Sequence, residues 1–422
     1  MVRGQQFKSL SINKMTDQEK QNQEKPIEEF NYTKFCVANF IPAVTINFTQ
    51  LLETRTAEIV AGHGGILTSD PSHCLKPINP RCLRSRREHL FYQLVNYLKD
   101  NPNNNLYYKD FPLLIHPDKS CDCRIDPHTF KTLFRFLATY VHVKHLITEG
   151  EDFDHDPEKK DRFYEAIYSE NTWCPCYGID RRAKDQCSLN YDQVNFICME
   201  DLHAHCRMSC ILDIKMGRIT YDPMANEQKI HEQTYKYPRL RDFGFRILGM
   251  KNGYVNKDKE FGKTLGSQEQ VFEAIESFFD PLQTCDRKCA VISRMLDILE
   301  YILEWFETMN NNQIRFYSSS ILFVYDAALC NNNDSSAIVC ERLAKSVRVN
   351  MIDFAHVFHS HDLPEGPSRS GSTTSIRTSE SLNKDDNYLY GLRRLIKFFI
   401  MLNRQQRVHV ARLETIQQLQ EL

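Results

Sequence analysis

The sequence predicts an α+β chain in two parts: a small N-terminal part built on an antiparallel sheet, and a larger C-terminal part mixing strands and helices. Short apolar, β-rich runs at Asn195 to Met199, Cys210 to Met216, Ser319 to Tyr325 and Val347 to Phe354 have the length and composition of buried strands. Ile292, Leu296, Leu299, Leu303 and Phe306 recur at helical spacing, so one face of a long helix is core. With 422 residues, 41% of them hydrophobic and 26% charged, the chain has room for one large two-lobed domain or two ordinary ones.

The N-terminal lobe spans 31–200, after a solvated, disordered tail at 1–30 rich in Gln, Lys and Glu. Short apolar runs and the patch Gly62-His63-Gly64-Gly65 suggest a small antiparallel sheet. A helix through Glu88, Phe91, Tyr92 and Leu94 follows. Residues 98–190, with an Asn-rich stretch and an acidic run from Glu149 to Asp161, read as a large insertion. Within it the apolar stretch Thr129 to Leu146 is expected to be helical. The C-terminal lobe spans 201–402. Ser267 and Gln270 stand at capping-box spacing before a helix to Phe279, and Ser319 to Tyr325 is expected to pair with Val347 to Phe354. Residues 360–387 are rich in Ser, Thr, Gly and Pro and read as a disordered loop. A helix at Tyr390 to Leu402 closes the lobe, and 403–422 reads as a C-terminal tail.

Composition narrows the function classes. No apolar run approaches the roughly 20 residues of a membrane span, and Met1 to Glu29 lacks a signal-peptide core, so an intracellular chain is expected, in nucleus or cytoplasm. The formal net charge is -2, so any polyanion site must come from local clustering. The basic stretch Arg81 to Arg87 lacks interleaved aromatics, which gives no support to nucleic-acid binding. Fifteen cysteines without a secretory signal read as reduced thiols. Cys121 with Cys123 and Cys174 with Cys176 form two C-x-C pairs. Paired zinc ligands are usually separated by two to four residues, so simple thiols are the favoured reading there and a shared zinc site the minor one.

Three features carry chemistry. In Cys210-Ile211-Leu212-Asp213-Ile214-Lys215-Met216-Gly217, strand alternation turns Cys210, Leu212, Ile214 and Met216 to one face and Asp213 with Lys215 to the other. Opposite charges held side by side there suit catalysis, or else a surface ion pair of little energetic weight. Asp353, inside the apolar run Met351-Ile352-Asp353-Phe354, suits a hard cation such as Mg²⁺, or else a hydrogen-bonded acid. Lys76 follows the expected hairpin and Glu88 lies on the next helix, the pairing by which kinases position ATP phosphates.

Taken in order, these segments resemble the inositol polyphosphate kinase family. Ser209 to Gly217 resembles its P-x-x-x-D-x-K-x-G signature, Phe316 to Leu322 its serine-rich S-S-L-L element, Ile352-Asp353-Phe354 its I-D-F, and Tyr390-Gly391-Leu392 its Y-G-L. The chain departs from the pattern with Ser209 in place of Pro, Ile321 in place of Leu, and Asn387-Tyr388 in place of Gly-Tyr. Tyr221-Asp222-Pro223, Lys229-Ile230, Lys236-Tyr237-Pro238 and the short stretch from Gly217 to Phe261 are similar to the multikinase branch, with the inositol hexakisphosphate kinases as the alternative. A non-catalytic scaffold is a further alternative, against which Lys76, Glu88, Asp213, Lys215 and Asp353 all remain.

The resemblance implies a protein-kinase-like fold that transfers the γ-phosphoryl group of ATP to inositol tris- and tetrakisphosphates. Phosphoinositide head groups are further candidate substrates. In that scheme Glu200 and Leu202 present backbone groups to adenine, Asp213 holds the ribose, and Lys76, oriented by Glu88, contacts phosphates. Asp353, with Ser320 nearby, holds Mg²⁺. Lys215 bridges the transferred group and the inositol, and Gln233, Lys236 and His356 bind substrate phosphates. Lys229, Lys236, Arg239 and Arg241 cluster after the signature strand; a solvated basic face is the other reading of Arg239 and Arg241.

Overall fold

The computed structural model describes residues 44–47, 67–70, 72–78, 83–114, 121–147, 194–310, 313–330, 334–359 and 386–420. The tail at 1–30, the glycine patch at 62–65, the acidic run, the Cys174–Cys176 pair and nearly all of the 360–387 loop lie outside them.

The N-terminal lobe is built from β1 (Val44–Asn47), β2 (Leu67–Asp70), β3 (His73–Ile78), α1 (Leu83–Asp100), α2 (Pro127–Leu133), β4 (Tyr140–Ile147) and β5 (Val194–Glu200). Its sheet runs β1-β4-β5-β3-β2. The pairs β4–β5, β5–β3 and β3–β2 are antiparallel, as expected, but β1–β4 is parallel. Leu90, Phe91, Leu94 and Leu98 of α1 are fully buried, as are Leu75, Phe196 and Ile197 in the sheet.

The described residues of 101–126 are largely irregular, as expected, but the stretch after them departs from the expected helix. Asp126 caps α2 by accepting from His128 N at 2.9 Å, but the helix stops at Leu133. Residues 140–147 instead form a strand beside β5. The run Tyr140-Val141-His142-Val143 is aromatic and β-branched, which fits a pleated surface better than a helix. Tyr108, Phe111, Ile125, Phe130 and Leu133 are buried, so this segment contributes to the core.

The C-terminal lobe holds β6 (Ser209–Met216), α3 (Glu227–Lys236), α4 (Leu240–Phe243), β7 (Phe245–Asn252), β8 (Asn256–Lys257), α5 (Lys259–Thr264), α6 (Gln268–Ser277) and α7 (Cys285–Glu304). After these come β9 (Ile314–Phe316), β10 (Ser320–Asp326), α8 (Ser336–Ser346), β11 (Arg348–Ile352), β12 (Val357–His359) and α9 (Asp386–Gln420). Its main sheet runs β11-β10-β6-β7-β8, antiparallel throughout. The expected pairing of β10 with β11 is present. The capping box at Ser267 and Gln270 is formed, and α7 buries Ile292, Leu296 and Leu299, with Ile302 buried where Leu303 was expected. One sheet face meets α7 and α9, where Phe323 stacks on Phe399 with ring centroids 5.2 Å apart.

Residues 403–420, read from sequence as a tail, continue α9, and Asn403 and Gln406 remain buried. The stretch from Arg404 to Gln420 contains no Gly or Pro, so nothing in it stops a helix. At the start of α9, the Asn387 amide brackets Ile219, accepting from its N–H at 2.9 Å and donating to its carbonyl at 3.1 Å. This side chain does the local work where the family pattern has glycine. Gly391 lies against backbone: a Cβ there would meet the Gly244 carbonyl oxygen at 1.9 Å.

Candidate active site

The β3 lysine and the α1 glutamate meet as expected. Lys76 Nζ lies 2.7 Å from Glu88 Oε1 and 3.0 Å from Asp353 Oδ1. Burial alone would push the Lys76 ammonium down, but the Asp353 and Glu88 carboxylates outweigh it and hold it well above the lysine range. Asp353 follows β11 at a positive φ of 64°, a conformation that costs a non-glycine residue energy and persists only where its surroundings enforce it. The enforcement is visible next door. Phe354 is fully buried, wedged against Phe91 at 4.8 Å and Tyr92 at 5.2 Å, and its N–H donates to Glu88 Oε1 at 3.3 Å. The wedge leaves the Asp353 side chain 40% exposed, turned to solvent beside Lys76.

Across the cleft, register brings the signature strand and the serine element together. Ser320 pairs with Lys215, Leu322 with Asp213 and Val324 with Ile211, so these six side chains share one sheet face. Ile211 and Val324, with the half-buried Leu202, Cys206 and Leu322, make an apolar patch next to Asp213. The opposite face carries Cys210, Leu212, Ile214 and Met216, all fully buried. Asp213 is 3% exposed. Its Oδ1 and the Ser320 Oγ have no hydrogen-bond partner among the described residues, which is costly for buried polar atoms. Burial and the Asp353 charge push the Asp213 carboxyl up to about 7, against Ser320, Lys215 and Arg246. Burial also pushes Lys215 down to about 8, with Arg246 and Lys236 acting in the same direction and Asp353 and Asp213 opposing them. Ser320 is wholly buried between Lys215 and Ile352, so Asp353 is the solvent-facing oxygen donor of the two expected metal ligands.

Glu200 and Leu202 stand where the chain passes between lobes. The Glu200 N–H donates to the Thr139 carbonyl at 2.8 Å, and the Asp201 N–H to the Ser72 carbonyl at 2.9 Å. These bonds anchor the linker to the N-terminal lobe while Leu202 joins the apolar patch.

α3 has no buried residues. Lys229, Gln233 and Lys236 recur at i, i+4 and i+7 and so share one face. Gln233 Oε1 accepts from Thr220 Oγ1 at 3.0 Å. Although Lys236 reaches solvent, partial burial and the charges of Arg246, Lys263, Lys229 and Lys259 hold its ammonium below the usual range. Arg239 is exposed and pairs with Asp242 at 3.4 Å, whereas Arg241, exposed on α4, lines a small pocket with Gln233 and Thr220. Arg246, 8% exposed and opposite Lys215 in the β6–β7 register, adds a further cation. Sequence reading missed it, although a charge in the apolar run Phe245-Arg246-Ile247-Leu248 is the signal that singled out Asp213 and Lys215.

His356 is oriented by a second residue that sequence reading left without a role. Its Nδ1 hydrogen-bonds Asp222 Oδ2, while Asp222 Oδ1 accepts from the Met224 N–H at 3.0 Å. Burial would raise the Asp222 carboxyl, but His356 holds it down to about 2. Burial pushes the imidazole down in turn. An ionised Asp222 accepting Nδ1–H leaves the His356 Nε2 for a ligand. Arg84 on α1 adds positive charge to this pair. Arg87 is committed to structure, donating to the carbonyls of Leu113 at 2.6 Å and Ala355 at 2.9 Å.

The family model for inositol polyphosphate kinase matches residues 196–400. The inositol polyphosphate multikinase of Mus musculus is 36% identical over 139 residues, 32% of this chain and 34% of that protein. Inositol hexakisphosphate kinase 3 of Mus musculus is 28% identical over 218 residues, 48% of this chain and 49% of that protein. The chain thus spans about a third of the length of the multikinase it matches. The crystal structure of the Saccharomyces cerevisiae inositol phosphate multikinase Ipk2 with ADP and Mn²⁺ is 23% identical, with a TM-score of 0.37 over 50% of this chain and 85% of that one. Asp213, Lys215, Ser320 and Asp353 all fall inside residues 196–400, the region that matches the inositol polyphosphate kinase family model.

Proposed function

We propose that the protein is an ATP-dependent kinase that phosphorylates hydroxyls of inositol tris- and tetrakisphosphates. The observation that carries this reading is two kinds of group close enough to act on one another's charge, Asp353 acting on both Asp213 and Lys215. On one side are the nucleotide-type groups: an apolar patch, an orphaned buried carboxylate and the Lys76–Glu88 pair. On the other are converging cations with few counter-ions. Adenine fits the patch of Ile211, Leu322 and Leu202 beside the linker backbone of Glu200 and Leu202. The ribose hydroxyls would donate to the unsatisfied Asp213 Oδ1. Lys76 would meet the phosphates.

A divalent cation such as Mg²⁺ would be held by Asp353 and would neutralise charge on the ATP phosphates. Lys215, between Asp213 and Arg246, would stabilise charge on the transferring group. The face of Lys229, Gln233 and Lys236, with Arg246 and the Asp222-oriented His356, would hold the phosphates of the acceptor. Each charged contact of this kind contributes about 1.5–3 kcal/mol. No separate base is invoked, because an alcohol on a polyphosphorylated ring is served by positioning and charge neutralisation.

The test is incubation of the purified protein with ATP, Mg²⁺ and a panel of inositol phosphates, with products resolved by anion-exchange chromatography. Conversion of the tris- and tetrakisphosphates supports the reading. Conversion of the hexakisphosphate alone, to a pyrophosphate, would assign the protein to the other branch. No conversion of any panel member would leave the scaffold reading standing.

A further inference from the structure

We propose that Cys121, Cys123 and His359 form a zinc site that ties the segment before α2 to β12. Their ligand atoms, two sulfurs and one imidazole nitrogen, all lie within 4.8 Å of one another. Cys121 Sγ is 3.5 Å from His359 Nδ1. A tetrahedral zinc with Zn–S of about 2.3 Å and Zn–N of about 2.0–2.1 Å separates sulfur from nitrogen by about 3.5 Å along the tetrahedron edge. The pair therefore already stands at the spacing the ion requires. Thiolate plus imidazole is a donor set that selects zinc over the oxygen-seeking Mg²⁺ and Ca²⁺. The fourth ligand is one that none of the described residues supplies.

The three donors are held in place by the fold. The segment carrying both cysteines is non-helical and bridges Tyr107 at Arg124. The Tyr108 N–H donates to the Cys123 carbonyl at 3.0 Å, and the Ile125 N–H to the Leu106 carbonyl at 2.8 Å. In such an extended stretch residues i and i+2 face the same way, so a C-x-C spacing presents both sulfurs together. His359 comes from the far side, on β12, where it pairs with Ile314 of β9. Its ring packs against Tyr108 at 3.8 Å between centroids. Cys121 and His359 are 4% and 5% exposed, so the site lies below the surface.

Binding would release two protons, one from each thiol, and leave two thiolates and a neutral imidazole on the ion. The tie matters for the cleft because β12 begins at Val357, directly after His356. Zinc there would fix the strand that directly follows His356, the partner of Asp222.

The experiment is metal analysis of the full chain, purified under reducing conditions from zinc-supplemented medium and dialysed against citrate. About one zinc per chain is expected. Cys121→Ser with Cys123→Ser should lose it, while Cys289→Ser, remote on α7, should retain it. Circular dichroism establishes that each variant is folded. Replacing zinc by Co²⁺ in the wild-type protein gives a readout independent of any variant: thiolate-to-cobalt absorption in the near ultraviolet and tetrahedral d–d bands in the visible. Absence of zinc after dialysis together with absence of those bands would overturn the assignment. So would zinc retained undiminished by the folded double variant.

Discussion

Replacing Asp213 by Asn should stabilise the protein while disabling it. The carboxylate is 3% exposed, has one oxygen without a partner among the described residues, and titrates at about 7 rather than 3.8. At about 1.36 kcal/mol per pKa unit, that displacement is a cost of up to about 4 kcal/mol for keeping the group ionised in the folded chain. The folded pKa lies above the unfolded one, so the favourable contribution exists only at low pH. With both states protonated near pH 3 there is no penalty. It grows as the unfolded chain ionises and is complete above pH 7. Asn keeps the shape and removes the charge. Asp213→Asn should therefore melt higher than wild type at pH 8 by the equivalent of about 1–4 kcal/mol, and the gap at pH 5 should be less than half as large. Without the carboxylate to accept from the ribose hydroxyls, ATP binding should weaken about 10–100-fold, at about 1.5–3 kcal/mol for a charge-assisted hydrogen bond.

Differential scanning fluorimetry at both pH values, with and without ATP and Mg²⁺, reads all three quantities. A variant less stable than wild type at pH 8, or a gap independent of pH, would show that Asp213 is a structural acid, and the ribose assignment would go with it.

Lys215→Ala should lower turnover roughly a hundredfold, about 3 kcal/mol of transition-state stabilisation, with little change in melting because the opposite strand face is untouched; a near-normal rate would remove Lys215 from the mechanism. The kcat/KM profile for ATP should be a narrow bell, rising as Asp213 loses its proton near 7 and falling as Lys215 loses its own near 8, and Asp213→Asn should abolish the acid limb. Arg246→Leu should raise KM for the inositol phosphate about 10–100-fold, the worth of one charged contact, and leave KM for ATP nearly unchanged; equal effects on both would place Arg246 elsewhere. Gly391→Ala forces a Cβ toward the Gly244 carbonyl oxygen at 1.9 Å, so the melting temperature should fall by the equivalent of about 1–3 kcal/mol; an unchanged melt would mean the α9 contact yields freely.

What was legible in the sequence follows from where the information lies. Asp213, Lys215 and Asp353 stood out because a charge inside a strand-length apolar run is a local anomaly. Lys76 and Glu88 are common residue types on a strand and the next helix, so their pairing was legible mainly through the family resemblance. β4 was hidden because its strand run adjoins a genuine helix in one apolar stretch, Thr129 to Leu146, and periodicity alone does not divide it. The length of α9 was hidden because most of the described side chains after Gln406 are exposed. The Asp222–His356 pair joins positions 134 residues apart, and Cys121 meets His359 across 238 residues. No spacing rule reads such pairs. A C-x-C pair alone offers too few ligands to suggest zinc, whereas the fold brings a third from β12.

The cleft gathers most of the unfavourable electrostatics described in the C-terminal lobe. Burial opposes the charge of Asp213, whose Oδ1 has no partner among the described residues, and Lys215, Lys236 and Arg246 are all held below their ordinary ranges. Asp353 holds a left-handed backbone on the other side. Folding alone rewards none of this, since apolar residues of similar size would pack at less cost in most of these positions. A bound nucleotide and a polyanion would relieve these costs together: hydroxyls for Asp213, phosphates for the cations, and a divalent ion for Asp353. The prediction for Asp213→Asn is the sharpest consequence, because the same buried charge must appear as lost stability without ligand and as affinity with it.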